Sequence, residues 1–191
     1  MEKTEWKDTV VLIDADYVDS VAFNLIVNFE RILNRPIPKA DLAHWLVCVA
    51  LDGGVPEGEN EIQVVLIHGK NKKEMENFAP SAYSEMDGQA FRDPYVGEFM
   101  MSALADESPT STEALYVQAF ETLVDAKEIK RLILAPDMAS YGTNLQRILH
   151  EVKEKEVALL AMEPLNLRGI RTDILGYSLM SALGIRSDEL K

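Results

Sequence analysis

The sequence has little cysteine, few basic residues and no long apolar run. Cys48 is the only cysteine among 191 residues, so an intramolecular disulfide is excluded, and this usage is typical of a reducing compartment. No uninterrupted apolar stretch approaches the roughly 18 residues of a membrane span. The polar N-terminal residues lack the apolar segment of a signal peptide. We therefore expect a soluble, cytoplasmic protein that has no membrane partner.

The sequence motifs of several common enzyme classes are also missing. The sequence contains no GxGxxG and no GxxxxGK[ST], which disfavours a glycine-rich nucleotide-binding loop. It also contains no Gly-x-Ser-x-Gly, which disfavours a serine hydrolase. His44, His68 and His150 are not spaced as metal ligands, and with one cysteine a structural zinc site is disfavoured.

Acidic residues are abundant by contrast. The chain has 32 Asp and Glu against 19 Lys and Arg, for a formal net charge of −13. Such a polyanion is a poor generic binder of nucleic acid, because phosphates must be neutralised by basic side chains. The acidity either serves solubility or includes clustered carboxylates that bind a divalent cation.

Short apolar runs alternate with stretches of helical periodicity along the chain. Strands are predicted at residues 9–13, 62–68, 129–135 and 157–162, and helices near 18–33, 38–50, 95–105, 112–126, 145–152 and 174–183. This alternation predicts a single α/β domain over residues 1–191, with three α/β/α layers and a mainly parallel central sheet. Residues 70–110 are the least regular part and are interpreted as an excursion, an edge element or a lid.

Acidic side chains follow two of the predicted strands. Asp14 and Asp16 end the first strand, and Asp137 follows the strand at 129–135. Ligands of open parallel sheets bind at the carboxyl ends of the strands, where Glu113 at the start of a helix also belongs. Carboxylates that meet at one edge are suited to Mg²⁺ or Mn²⁺. The same acids also suit helix capping, with Asp16 or Asp19 as the cap of the first helix.

A helix that begins near Asp137 offers a second kind of contact. Residues Ser140, Thr143 and Asn144 lie at its start, where backbone N–H groups are able to hold a phosphate. The simpler interpretation is that Thr143 caps this helix.

Four segments together resemble the NYN/PIN-like nuclease family. They are LIDADYVD (12–19), TEALYVQAFETL (112–123), LILAPDMASYGTNLQRILHE (132–151) and VALLAMEP (157–164). The resemblance implies a PIN/NYN-like fold in which Asp14, Glu113 and Asp137 are catalytic and, together with Asp16, bind Mg²⁺ or Mn²⁺. Ala139 stands where the family has a second Asp.

Three functions therefore remain open. A divergent PIN/NYN-like domain without catalysis would act as an interaction or scaffold module with a protein partner. A catalytic domain would be a metal-dependent ribonuclease-like phosphodiesterase that acts on RNA. A second alternative is a phosphatase-like hydrolase, because Asp14-x-Asp16 also resembles the first motif of haloacid-dehalogenase-like phosphatases. A homodimer is open in each case.

Overall fold

The computed structural model describes residues 5–106 and 111–191, and within them an α/β fold. The strands are β1 (Thr9–Asp14), β2 (Ala40–Asp41), β3 (Asn60–His68), β4 (Phe78–Ala79), β5 (Ala90–Asp93), β6 (Gly97–Ala105), β7 (Arg131–Ala135), β8 (Glu156–Ala161) and β9 (Arg171–Ile174). The helices are α1 (Ala15–Leu33), α2 (Leu42–Asp52), α3 (Tyr83–Met86), α4 (Thr112–Asp125), α5 (Met138–Leu149) and α6 (Leu175–Ala182), followed by a 3₁₀ helix (Ser187–Leu190).

One central sheet connects most of the described chain. Its strand order is β5-β6-β3-β1-β7-β8-β9, and every pairing is parallel except that of the edge strand β5 with β6. The strands β2 and β4 form a separate two-stranded pair. Helices pack on both faces of the central sheet, so the fold is the three-layer α/β/α arrangement predicted from the alternating pattern.

The apolar strand sequences explain why the sheet is covered on both sides. All six residues of β1 are buried, and its four apolar residues alternate between two cores. Val11 and Ile13 face the core under α1, α2, α3 and α6, whereas Val10 and Leu12 face the core under α4 and α5. Continuous β-branched runs of this kind are typical of a parallel sheet. None of the helices in the described ranges combines the length and the apolar character needed to cross a membrane.

The strand order reverses next to β1. The chain first builds outward through β3 and β6, then returns to the other side of β1 with β7 and continues through β8 and β9. Ligand sites of open α/β sheets occur at such a switch point, outside the carboxyl ends of the strands. β1 and β7 are direct neighbours, so Asp14 and Asp137 follow adjacent strands at this edge.

The predicted helix at residues 95–105 is wrong. Residues 97–105 form β6, which pairs with β3 along its whole length. Its residues alternate between the core under α1, α2, α3 and α6 and the opposite face of the sheet. Short apolar runs have no decisive period, so a partner strand decides between helix and strand. The region 70–106 also contains β4, α3 and the edge strand β5. Residues 107–110 of the predicted excursion lie outside the described residues.

Candidate functional site

Asp14 lies at the centre of the carboxyl edge and is almost fully enclosed. It is 5% exposed, and both of its carboxylate oxygens accept hydrogen bonds. The backbone N–H of Tyr17 donates to Oδ1 (3.2 Å), which makes Asp14 the N-cap of α1. The hydroxyl of Tyr141 donates to Oδ2 (2.6 Å). The cap predicted at Asp16 or Asp19 is therefore wrong, because the helix begins one residue after the strand ends and Asp14 occupies the capping position.

Burial changes the acidity of this carboxyl group. The pKa of Asp14 is raised from 3.8 to about 6, mainly because burial desolvates the carboxylate and to a smaller extent because of the nearby charges of Asp137 and Asp16. The hydrogen bonds from Tyr141 and Tyr17 act against this rise by favouring the ionised form. Asp14 is thus a carboxyl group whose charge is disfavoured by its surroundings and retained by two donors.

Asp16 holds the loop that follows β3. The backbone N–H of Gly69 donates to its Oδ2 (2.6 Å), and the hydroxyl of Tyr83 donates to its Oδ1 (3.1 Å). The ring of Tyr83 stacks on His68 with centroids 3.8 Å apart. His68 Nδ1 lies 2.9 Å from the carbonyl oxygen of Gly69, so this nitrogen donates. Asp16 therefore joins α1 to the end of β3 and to α3.

Asp19 has a similar connecting role one helical turn later. The backbone N–H of Asn77 donates to Asp19 Oδ1 (2.8 Å), and that of Glu76 donates to Oδ2 (3.1 Å). The side chain thus holds the loop that leads into β4, rather than the first turn of its own helix.

Asp137 caps α5, and Tyr141 interrupts the same helix. The N–H and the hydroxyl of Ser140 donate to the two carboxylate oxygens of Asp137 (3.3 and 2.8 Å). Tyr141 has non-helical backbone angles (φ −137°, ψ 19°), so the helix is kinked at this residue. The Tyr141 hydroxyl lies under the helix start, where it also accepts from the N–H of Asp137 (3.0 Å). The predicted Thr143 cap is wrong, because α5 begins at Met138 with Asp137 as its cap.

Glu113 lies at the same edge but in a separate groove. The groove has a volume of about 530 Å³ between α4 and α5, and Glu113 lines it together with Ser140, Tyr141 and Asn144. Thr143 is exposed and is not among the lining residues. Of the three side chains predicted to contact phosphate, Ser140 already bonds to Asp137, so an anion there would meet a carboxylate.

The described carboxylates do not form a ready metal centre. Asp14, Asp16 and Asp137 each use both oxygens as acceptors for protein N–H or O–H groups. Within residues 5–106 and 111–191, no three Asp, Glu, His or Cys side chains are grouped closely enough to hold a metal ion. The N–H and O–H groups around these carboxylates hydrogen-bond to them, an arrangement that differs from the oxygen ligands that surround a bound Mg²⁺ or Mn²⁺. The cation predicted from the sequence stays a prediction.

Tyrosines are the part of this site that the sequence reasoning missed. Tyr141 bonds to Asp14 at the end of β1, and Tyr83 bonds to Asp16 in the first turn of α1. The pKa of Tyr17 is raised by burial and then by the charges of Asp137, Asp14 and Glu163. One signal was available, since Tyr141 follows Asp137 by four residues and so belongs one helical turn from it.

Comparison with known proteins identifies the family but not the activity. Residues 3–190 match the model of a family of unknown function, DUF6621, and the chain belongs to that family. No curated protein matches the chain. No solved structure matches it either.

Proposed function

We propose that this protein is a divergent PIN/NYN-like domain that works as a non-catalytic interaction module. The observation that carries the proposal is the enclosure of Asp14, whose second oxygen accepts from the Tyr141 hydroxyl at 2.6 Å. A carboxylate that is 5% exposed presents almost no open surface to a metal ion or a substrate, and each of its oxygens already accepts a hydrogen bond from the protein. The NYN/PIN-like motif has a second Asp where this chain has Ala139, and this difference supports the same conclusion.

The charge of the molecule also supports a protein partner over RNA. A formal net charge of −13 repels a phosphodiester chain, and the site itself adds the carboxylates of Asp16, Asp137 and Glu163 around Asp14 and Tyr17. The sheet edge, where Asp14, Asp16 and Asp19 hydrogen-bond to neighbouring segments, would serve as a scaffold for surfaces elsewhere on the domain.

A nuclease assay tests this proposal directly. The protein is incubated with single-stranded RNA in Mn²⁺ or Mg²⁺ beside two variants, Asp137→Asn at the site and Asp8→Asn at an exposed position before β1. We expect no cleavage above background in any of the three, and no heat of Mn²⁺ binding in calorimetry. Cleavage that Asp137→Asn abolishes and Asp8→Asn leaves intact would overturn the proposal.

A metal-dependent ribonuclease-like phosphodiesterase is the second candidate. It is favoured by one observation, that Asp14 and Asp137 follow neighbouring strands at the switch point and are close enough for the charge of Asp137 to raise the pKa of Asp14. The same assay decides between the two candidates, because only this one requires a cation and the carboxylate of Asp137.

A further inference from the structure

A histidine, a cysteine and a serine meet where α2 packs against α6. The Nε2 atom of His44 lies 2.8 Å from the Oγ atom of Ser181. The Sγ atom of Cys48 lies 3.9 Å from the same oxygen. His44 and Ser181 are exposed, and Cys48 is partly buried. A nitrogen and a sulfur atom that both ligate metals therefore converge on one hydroxyl group that solvent reaches.

The geometry of α2 explains why these two atoms converge. His44 and Cys48 are four residues apart in this helix, so their side chains lie on the same face. The backbone N–H of His44 donates to Oδ1 of Asp41 (3.1 Å), which caps the helix. The indole N–H of Trp45 donates to the buried Oγ of Ser178 on α6 (3.0 Å). Both helices are thus held in place by contacts that do not need the side chains of His44 and Cys48.

The charge that acts on the sulfur atom favours a cation. Burial raises the pKa of the Cys48 thiol, and the negative charge of Asp52 raises it in the same direction, whereas the hydrogen bond with Ser181 lowers it. Asp52 is itself influenced by Asp173 and Arg171, whose charges act in opposite directions. These surroundings disfavour a free thiolate, and a bound cation would neutralise the thiolate that they destabilise.

We propose that His44 and Cys48 chelate a thiophilic cation of the Zn²⁺ type on the surface between α2 and α6. Thiolate and imidazole are ligands that Zn²⁺ prefers, whereas Mg²⁺ and Mn²⁺ prefer oxygen. Zinc-binding helices of other proteins place two ligands at the same spacing of four residues. On binding, the S–H bond of Cys48 breaks, a Zn–S bond forms and the proton passes to solvent, while Nε2 of His44 exchanges its contact with Ser181 for the metal.

This site differs from a structural zinc site and from the carboxyl edge. Two protein ligands leave the other coordination positions to water, in keeping with the absence of any group of three ligating side chains within residues 5–106 and 111–191. The spacing of the histidines does not reveal the site, because the second ligand is a cysteine. The inference goes beyond the proposed function, since it involves none of the strand-end acids.

The reaction of Cys48 with the disulfide reagent DTNB tests the site, because Cys48 is the only cysteine of the chain. We expect ZnCl₂ to slow this reaction by at least about tenfold, since the free thiolate is the nucleophile, and EDTA to restore it. MnCl₂ should leave the rate unchanged. His44→Ala keeps the backbone N–H that Asp41 accepts and should lose most of the protection by Zn²⁺. His150→Ala is the matched control, because it removes another exposed histidine and should retain the protection.

A further variant separates chelation from a merely structural contact. Ser181→Ala removes the shared hydroxyl but keeps both ligands, so protection by Zn²⁺ should persist, and calorimetry should show one Zn²⁺ per chain. Absence of protection in the unaltered protein would overturn the inference. Protection that persists in His44→Ala, or that His150→Ala removes equally, would also overturn it. RNA cleavage is measured separately with Mn²⁺ and Asp137→Asn, so failure of this site and failure of the proposed function are distinguishable.

Discussion

The hydroxyl of Tyr141 connects the two strand-end acids, because it donates to Asp14 and accepts from the N–H of Asp137. Tyr141→Phe removes this group and leaves a buried carboxylate oxygen without its donor. We expect the free energy of unfolding to fall by about 1–3 kcal/mol, measured by urea denaturation. Tyr95→Phe is the control, since Tyr95 is 62% exposed and should change stability by less than about 0.5 kcal/mol. Equal effects of the two variants would contradict this role.

The buried carboxyl of Asp14 makes stability depend on pH. Its pKa in the folded protein is about 6, above the value of 3.8 for the unfolded chain, so the folded state binds the proton more tightly. Stability from this group is greatest below pH 4, falls as the pH rises toward 6 and is constant above that, with a loss of about 3 kcal/mol.

The Asp14→Asn variant cannot titrate at this position, so it isolates the contribution of Asp14. We expect its unfolding free energy, relative to that of the unaltered protein, to increase between pH 4 and pH 7. Asp52, whose pKa is also raised to about 6, is present in both proteins and cancels in the difference. Urea denaturation at several pH values measures the effect, and parallel pH profiles would refute it.

At the residue scale, the position of the acids was predictable and their partners were not. Asp14 and Asp137 end apolar runs, so strand-end geometry places them at one edge without a structure. The contact of Tyr141 with Asp14 depends on the kink of α5, and the spacing of apolar residues does not reveal backbone angles of this kind. The cap of α1 was misplaced for a related reason, since the change from strand to helix within one residue is not visible in the sequence.

At the element scale, the start of β6 depends on a close backbone approach. Gly97 has φ +115°, and a Cβ added there would overlap the carbonyl oxygen of Asn60 at the start of β3. We expect Gly97→Ala to cost about 2–5 kcal/mol, measured by chemical denaturation. Gly88→Ala is the matched control, because Gly88 also has a positive φ but open space around it, and should cost about 1–2 kcal/mol. Similar losses would show that the approach to Asn60 is unimportant.

The major elements were predictable where their pattern was long or strongly apolar. The runs ending at Ile13, His68 and Ala135 became neighbouring strands, and α4 and α6 lie where their apolar spacing indicates. The short strands β5 and β9 were missed, because four-residue edge strands have too few residues to show a period. β6 was misread as a helix because Phe99, Met100 and Met101 are apolar in succession, and only pairing with β3 separates its two faces.

At the scale of the whole molecule, the acidic charge provides a test of the metal-free interpretation. Mutual repulsion among the charges of a chain at −13 lowers its stability, and cations screen this repulsion whether or not a built site exists. Adding MgCl₂ or MnCl₂ should therefore raise the melting temperature of the unaltered protein. Because the carboxylates of the site are bonded to protein donors, we expect the same rise in Asp137→Asn and in Asp8→Asn. Scanning calorimetry of the three proteins, each with and without the same concentration of added salt, measures the rise. An extra rise that only Asp137→Asn removes would establish a specific cation site at the carboxyl edge.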